Sequence, residues 1–149
     1  MEWSLELGIK ELTVFALSTD NLKRSQLEVD TLMTLAKDSF AKMAEHGGFM
    51  EQHGIRVKIL GDLDLLPEDV RAALRRAESL TEKHEKATLN VCLCYNSKHE
   101  ILSAFDQVAE SGTATIESFE SKLYGGSNCK PEILIRTSNE VRLSNFLLY

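Results

Sequence analysis

Short apolar runs rich in β-branched residues alternate with longer amphipathic stretches along this chain of 149 residues. Their length and composition are typical of β-strands, and they cover residues 12–17, 55–60, 88–95 and 133–136. Strands that alternate with helices favour βαβ units, in which neighbouring strands lie parallel. We therefore expect an α/β fold with a mostly parallel central sheet flanked by helices.

Helix start and stop signals occupy the stretches between these runs. Two capping boxes and a first-turn proline mark starts, at Ser25 with Glu28, Pro67, and Ser97 with Glu100. The second helix is expected to end before His84, the third at Gly112, and a fourth to cover residues 115–124. Residues 3–7 are similar to the last turn of a helix that Gly8 closes.

Composition and charge exclude several classes of protein. A net charge of -6 gives no general attraction for nucleic acid, so we expect none as a partner. No apolar stretch approaches the ~20 residues of a membrane span, and residues 1–8 lack the features of a signal peptide, which favours the cytosol. Association with a membrane surface is left open. The three cysteines, Cys92, Cys94 and Cys129, lack the spacing of a zinc site, which favours free thiols.

Two polar clusters follow the first and the last predicted strand. The first contains Ser18, Asp20, Asn21 and Arg24, and the second contains Arg136, Glu140, Arg142 and Ser144. Parallel strands end at one edge of a sheet, where open α/β sheets bind ligands, so we expect both clusters at that edge. An arginine fork beside a hydroxyl can hold a phosphate or a carboxylate.

Each cluster also has a purely structural interpretation. Glu140 could neutralise Arg136 or Arg142 in a solvated ion pair of little energetic value. Ser18 and Asn21 could simply shape the turn, because such side chains bond to nearby backbone. A further interpretation also stays open, in which the chain is an unrelated sheet protein that binds another phosphorylated metabolite at the arginines.

Four segments of the chain contain recognisable motifs, at residues 15–24, 59–67, 89–101 and 133–149. They resemble motifs of the cis-prenyltransferases, the family of undecaprenyl and dehydrodolichyl diphosphate synthases. F-A-L-S-T-D-N-L-K-R at residues 15–24 is similar to the family's A-F-S-x-E-N-W/F-x-R. I-L-I-R-T-S-N-E-V-R-L-S-N-F-L-L-Y at residues 133–149 is similar to its I-R-T-S/G-G-E-x-R-x-S-N/D-F-L-L-W. Residues 59–67 and 89–101 match its G-D and L-N-x-x-x-x-Y segments in order. The residues of these motifs are most similar to those of the eukaryotic dehydrodolichyl diphosphate synthases.

This resemblance implies condensation of isopentenyl diphosphate onto an allylic diphosphate such as farnesyl diphosphate, which gives a long polyprenyl diphosphate of the dolichyl type. Mg²⁺ would assist the departure of the allylic diphosphate, with ligands that lie outside this chain. The match assigns catalytic roles to Ser18 and Asn21 and substrate binding to Arg24, Arg136, Arg142 and Ser144. It also implies a homodimer, or a heterodimer with a related subunit, at the cytosolic face of the endoplasmic reticulum.

The chain departs from the family pattern at both ends. The family's Asp-Gly-Asn-Arg motif, which supplies the catalytic aspartate, and its C-terminal Arg-x-Gly segment do not occur in these residues. We therefore expect one incomplete domain over residues 1–149 that is inactive alone, or a non-catalytic partner subunit. Asn139 stands where the family has glycine and is expected to tolerate a left-handed backbone. Leu22 replaces an aromatic residue.

Overall fold

The computed structural model describes residues 1–127 and 130–149 and contains two compact units, Met1–Cys94 and Tyr95–Tyr149. Cys129 lies outside the described residues, whereas Cys92 and Cys94 are buried, in agreement with the sequence interpretation. No helix of the described residues is long and apolar enough to cross a membrane.

The first unit is built on a sheet of three parallel strands. They are β1 (Glu11–Phe15), β2 (Ile55–Leu60) and β3 (Ala87–Cys92), in the order β1-β3-β2. β3 is the central strand, so its backbone pairs on both sides, and five of its six residues are buried. The predicted parallel sheet is confirmed for these three runs.

Four α-helices accompany this sheet: α1 (Glu2–Glu6), α2 (Gln26–Met43), α3 (Phe49–His53) and α4 (Glu68–Thr81). The predicted capping box at the start of α2 is confirmed, since the Ser25 backbone N–H donates to the Glu28 carboxylate at 3.2 Å. α4 begins directly after Pro67, as predicted. α3 was not predicted, because its five residues are too few to show helical periodicity.

α4 also supplies hydrogen bonds to the outer side of the edge strand β2. The Thr81 hydroxyl accepts from the Val57 backbone N–H at 3.0 Å, and the Glu78 carboxylate accepts from the Ile59 N–H at 2.8 Å. The His84 ring nitrogen Nδ1 lies 2.9 Å from the Ile55 carbonyl oxygen. These contacts satisfy backbone groups of β2 with which a further strand would otherwise pair.

The second unit contains α5 (Ser97–Ser111) and α6 (Ile116–Lys122). The predicted capping box of Ser97 and Glu100 is wrong. Asn96 is the N-cap residue, because its side-chain oxygen accepts from the Lys98 N–H at 3.0 Å. Gly112 ends α5 in a left-handed conformation with φ of 69°, as predicted.

The predicted strand at residues 133–136 is absent from the structure. Ile133 and Ile135 have 78% and 82% of their surface exposed. A strand requires a hydrogen-bonded neighbour, and the described part of the second unit contains no strand that could pair with this run. β-Branched composition alone therefore did not decide the local structure.

Candidate functional site

The predicted site residues fall into two groups, one in each unit. Ser18, Asn21 and Arg24 belong to the first unit, directly after β1. Arg136, Arg142 and Ser144 belong to the second, in a segment of residues 136–148 that we name the arginine loop. The structure brings residues together within each group, and the expected meeting of the two groups stays a prediction.

Ser18 and Asn21 form a reciprocal hydrogen-bonded turn. The Ser18 backbone N–H donates to the Asn21 side-chain oxygen Oδ1 at 2.8 Å, and the Ser18 hydroxyl accepts from the Asp20 N–H at 3.2 Å. This pair caps the short 3₁₀ helix Thr19–Lys23. The structural interpretation of both residues is therefore correct. The hydrogen bond to Oδ1 also sets the orientation of the Asn21 amide, whose NH₂ group is left as a donor.

Arg24 ends this 3₁₀ helix and is exposed to solvent. Its backbone N–H donates to the Asn21 carbonyl oxygen at 3.2 Å. No hydrogen bond or ion pair of its guanidinium group occurs among the described residues. Hydrogen bonds from Ser25 are the main cause that lowers the pKa of Glu28, and the charge of Arg24 adds to this lowering. The guanidinium group is free to bind an external anion.

Arg136 and Ser144 lie in direct contact across the arginine loop. The Arg136 guanidinium donates to the Ser144 hydroxyl oxygen at 3.2 Å and also to the Arg142 carbonyl oxygen. Both side chains are exposed. A guanidinium fork beside a hydroxyl provides several donors for the oxygens of one diphosphate.

Arg142 instead forms a bidentate ion pair with Glu140. Its Nε lies 3.0 Å from one carboxylate oxygen, and a terminal nitrogen lies 2.5 Å from the other. The Arg142 guanidinium is the main cause that lowers the pKa of Glu140 to about 2, and the same contact raises the pKa of Arg142. The ion-pair interpretation holds for Arg142, so an anion that binds it must compete with Glu140.

The arginine loop carries an unusual number of left-handed backbone conformations. Five of its residues other than glycine have positive φ, namely Ser138, Asn139, Ser144, Asn145 and Leu147. Asn139 has φ of 52°, which confirms that asparagine adopts the backbone for which the family uses glycine. Such conformations persist only where the surroundings hold them, and they concentrate at functional sites.

Three residues that the sequence interpretation missed hold the end of this loop. Tyr95, Ser97 and Glu100 are at most 8% exposed and are hydrogen-bonded to one another. We name these three residues the tyrosine anchor. Ser97 binds the loop through its backbone and its hydroxyl, with Asn145 and Leu148 as partners. The S-x-x-E spacing of Ser97 and Glu100 predicts a helix cap, and Tyr95 is the tyrosine of the L-N-x-x-x-x-Y segment, but neither signal predicts a contact with the loop.

No group of three potential ligands among His, Cys, Asp and Glu occurs in residues 1–127 and 130–149. Asp62 accepts from the Asp64 N–H at 3.2 Å, and Asp64 binds Arg71 at 3.0 Å. These two carboxylates therefore serve the start of a turn and an ion pair.

Comparisons with known proteins identify the family. A family model described as putative undecaprenyl diphosphate synthase matches residues 1–149. The chain belongs to this prenyltransferase family. The dehydrodolichyl diphosphate synthase complex subunit of Homo sapiens is 44% identical over 157 residues, which cover 100% of this chain and 47% of the relative. The geranylgeranyl-diphosphate-specific tritrans,polycis-undecaprenyl-diphosphate synthase of Pyrococcus horikoshii is 42% identical over 100% of this chain and 59% of the relative.

Solved structures agree with this prenyltransferase assignment. Lavandulyl diphosphate synthase from Lavandula x intermedia, crystallised with dimethylallyl diphosphate, superposes with a TM-score of 0.83 at 31% identity over 96% of this chain and 64% of that one. A probable undecaprenyl diphosphate synthase from Campylobacter jejuni gives a TM-score of 0.83 at 28% identity over 99% and 70%. The expected cis-prenyltransferase fold is therefore confirmed. The chain spans about half the length of the curated relatives, at 47% and 59%.

Proposed function

We propose that this chain acts in cis-prenyl transfer, in which isopentenyl diphosphate condenses with an allylic diphosphate such as farnesyl diphosphate. The product is a long polyprenyl diphosphate of the dolichyl type. Family membership and the names of the similar synthases support this proposal. The observation that carries it is the contact of Arg136 with Ser144 inside the R-T-S-N-E-V-R-L-S sequence.

Arg136 and Ser144 hold the diphosphate of isopentenyl diphosphate in this proposal. Arg142 joins them when its ion pair with Glu140 opens. Charge-assisted hydrogen bonds contribute about 1.5 to 3 kcal/mol each, so two such contacts give about 3 to 6 kcal/mol. That range corresponds to an affinity of roughly millimolar to tens of micromolar for the diphosphate.

Ser18, Asn21 and Arg24 serve the reacting end of the substrates. Since the Asn21 oxygen accepts from the Ser18 N–H, its NH₂ group donates to a substrate oxygen and does not abstract a proton. The exposed Arg24 guanidinium adds a second positive charge for a diphosphate. Condensation forms one carbon–carbon bond, expels the allylic diphosphate and releases one proton. Mg²⁺, when bound, would supply charge neutralisation for that leaving group.

Calorimetry with isopentenyl diphosphate tests the binding half of the proposal. We expect Arg136→Ala to weaken binding roughly 10- to 100-fold, because a charged hydrogen-bond donor is lost. Arg76→Ala is the matched control, since Arg76 is an exposed arginine of the first unit. Equal binding by wild type and Arg136→Ala would remove the proposed site.

A turnover assay with isopentenyl diphosphate, farnesyl diphosphate and Mg²⁺ tests the catalytic half. We expect binding without product from these 149 residues, because the Asp-Gly-Asn-Arg motif does not occur in them. Long-chain product from the purified chain would contradict this expectation and assign full catalysis to it.

We also propose that the chain pairs with a second copy or with a related subunit. The exposed apolar residues of the second unit support this, with Ile133, Ile135 and Val141 at 78%, 82% and 91% exposure. The name of the human relative as a complex subunit supports it as well. Light scattering of the chain alone and mixed with a full-length synthase subunit is the test, and a monomer in both samples would exclude pairing.

The similarity to dehydrodolichyl diphosphate synthases supports a location at the cytosolic face of the endoplasmic reticulum, to be checked by cell fractionation.

A further inference from the structure

We propose that the tyrosine anchor, Tyr95, Ser97 and Glu100, positions the arginine loop for diphosphate binding. The anchor touches no substrate in this account and acts through Ser144, whose neighbour Asn145 it holds. The inference rests on the proposed function of Arg136 and Ser144 as the diphosphate site.

The centre of the anchor is a buried carboxylate. Glu100 is 8% exposed and accepts from the Tyr95 hydroxyl and, through its other oxygen, from the Tyr124 backbone N–H at 2.9 Å. A buried carboxylate is costly unless donors satisfy it, so these contacts fix the side chain in one place. The Tyr95 hydroxyl also lies 3.1 Å from the Ser97 hydroxyl, which links the carboxylate to Ser97.

Ser97 connects this centre to the arginine loop at two points. Its backbone N–H donates to the Asn145 carbonyl oxygen at 2.9 Å, and its hydroxyl accepts from the Leu148 N–H at 3.0 Å. The aromatic ring of Tyr95 packs edge-on against Phe146, with centroids 6.0 Å apart. The anchor therefore contacts Asn145 and Leu148 by hydrogen bonds and Phe146, which lies between them in sequence, by ring packing.

The loop needs this support because its backbone is strained where the anchor binds. Ser144, Asn145 and Leu147 have φ of 53°, 57° and 44°, which side chains other than glycine rarely adopt. The two hydrogen bonds from Ser97 enclose Asn145 and Leu147 and so oppose relaxation of this segment. Ser144 precedes Asn145 directly and accepts from Arg136. Release of the anchor should therefore separate the two groups that hold the diphosphate.

Two conservative substitutions, each of which removes one hydroxyl group, test the inference in the whole chain. Tyr95→Phe removes one hydroxyl and keeps the ring that packs on Phe146, and Ser97→Ala removes the acceptor of the Leu148 N–H. Ser103→Ala is the matched control, since it deletes a serine hydroxyl from α5 that accepts from the Gln107 side chain at 3.3 Å and not from the loop. Circular dichroism selects the variants that fold, and the milder Tyr95→Phe keeps the test valid if Ser97→Ala does not fold.

Three readouts apply to each folded variant. Amide hydrogen exchange at Leu148 reports the anchor, calorimetry with isopentenyl diphosphate reports affinity, and the ³¹P chemical shift reports the environment of the bound diphosphate. We expect faster exchange at Leu148, a Kd that rises roughly 3- to 10-fold, and a changed ³¹P shift in Tyr95→Phe and Ser97→Ala, as for loss of one net hydrogen bond. Ser103→Ala should match wild type in all three.

The outcomes separate this inference from the proposed function. Wild-type Kd and ³¹P shift in folded Tyr95→Phe and Ser97→Ala would overturn the positioning role alone. An equal rise of the Kd in Ser103→Ala would overturn it as well. No binding of isopentenyl diphosphate by wild type would overturn the proposed function, whatever the exchange rate of Leu148.

Discussion

The turn at Ser18 and the arginine loop both carry residues for diphosphate chemistry, yet they are stabilised in different ways. Ser18 and Asn21 are three positions apart and satisfy each other through a 2.8 Å hydrogen bond directly after β1. The arginine loop has five left-handed residues and depends on Ser97, which lies 51 positions before Leu148. Local hydrogen bonds thus hold one half of the predicted site, and contacts distant in sequence hold the other.

The largest effect is expected at the sheet of the first unit, where Gly61→Ala should lower the free energy of unfolding by about 3 kcal/mol. A Cβ at Gly61 would lie 1.9 Å from the Leu93 carbonyl oxygen, and φ there is 145°. Urea denaturation measures the loss. Gly47→Ala is the control, because φ of 71° is also positive there but the space around it is open. Equal losses in both variants would show that the close approach to Leu93 is unimportant.

Asn139→Ala tests the strain of the arginine loop. The left-handed conformation costs alanine about 1 to 2 kcal/mol, so we expect the free energy of unfolding to fall by about that amount. Asn139→Gly should retain it, and Thr137→Ala serves as a neighbouring control. Thermal unfolding of the three variants is the measurement. A loop that is equally stable with alanine would mean that its positive φ is not required.

Asn21→Ala tests the self-contained turn of the first unit. Loss of a capping side chain costs typically ~1 kcal/mol, which denaturant unfolding resolves. Asn21→Asp keeps an acceptor for the Ser18 N–H but removes the NH₂ donor. Stability should therefore recover in Asn21→Asp while substrate binding does not. Recovery of both would argue against Asn21 as a donor to substrate.

The smallest effect is expected from acid, at the ion pair of Glu140 with Arg142. The pKa of Glu140 is lowered from 4.5 to about 2, so its contribution is complete above pH 4.5 and disappears as the pH falls through about 2. Carboxyl ¹³C NMR should show this titration, and the signal should be missing in Glu140→Gln. A Glu140 midpoint near 4.5 would indicate that the pair does not persist in solution.

Sequence patterns predicted the parts of the fold that depend on neighbouring residues. The run of residues 55–60 became β2 with the same bounds, and the capping box of Ser25 and Glu28 formed as predicted. Asn139 adopted the expected left-handed conformation. In each case the deciding interactions span a few positions or follow from strand periodicity, so the sequence shows them directly.

Patterns failed where distant residues decide the structure. Glu100 lies three positions after Ser97, but its carboxylate binds Tyr124, which is 24 positions away, and so it is not available as a cap. The apolar run at residues 133–136 lacks a neighbouring strand in its described unit, so β propensity had no sheet to join. The role of Ser97 beneath the arginine loop has no sequence signature, because the contact with Leu148 arises only after folding.

Because α4 hydrogen-bonds to β2, the two edges of the sheet in the first unit differ in how readily another strand can pair with them. Thr81 and Glu78 occupy the N–H groups of Val57 and Ile59, so an incoming strand would have to displace buried or half-buried side chains before it could pair there. Growth of the sheet by strand addition, and misassembly of partly folded chains through exposed edges, are thus directed away from β2. β1 forms the opposite edge of this sheet, and we expect any strand addition there and not at β2.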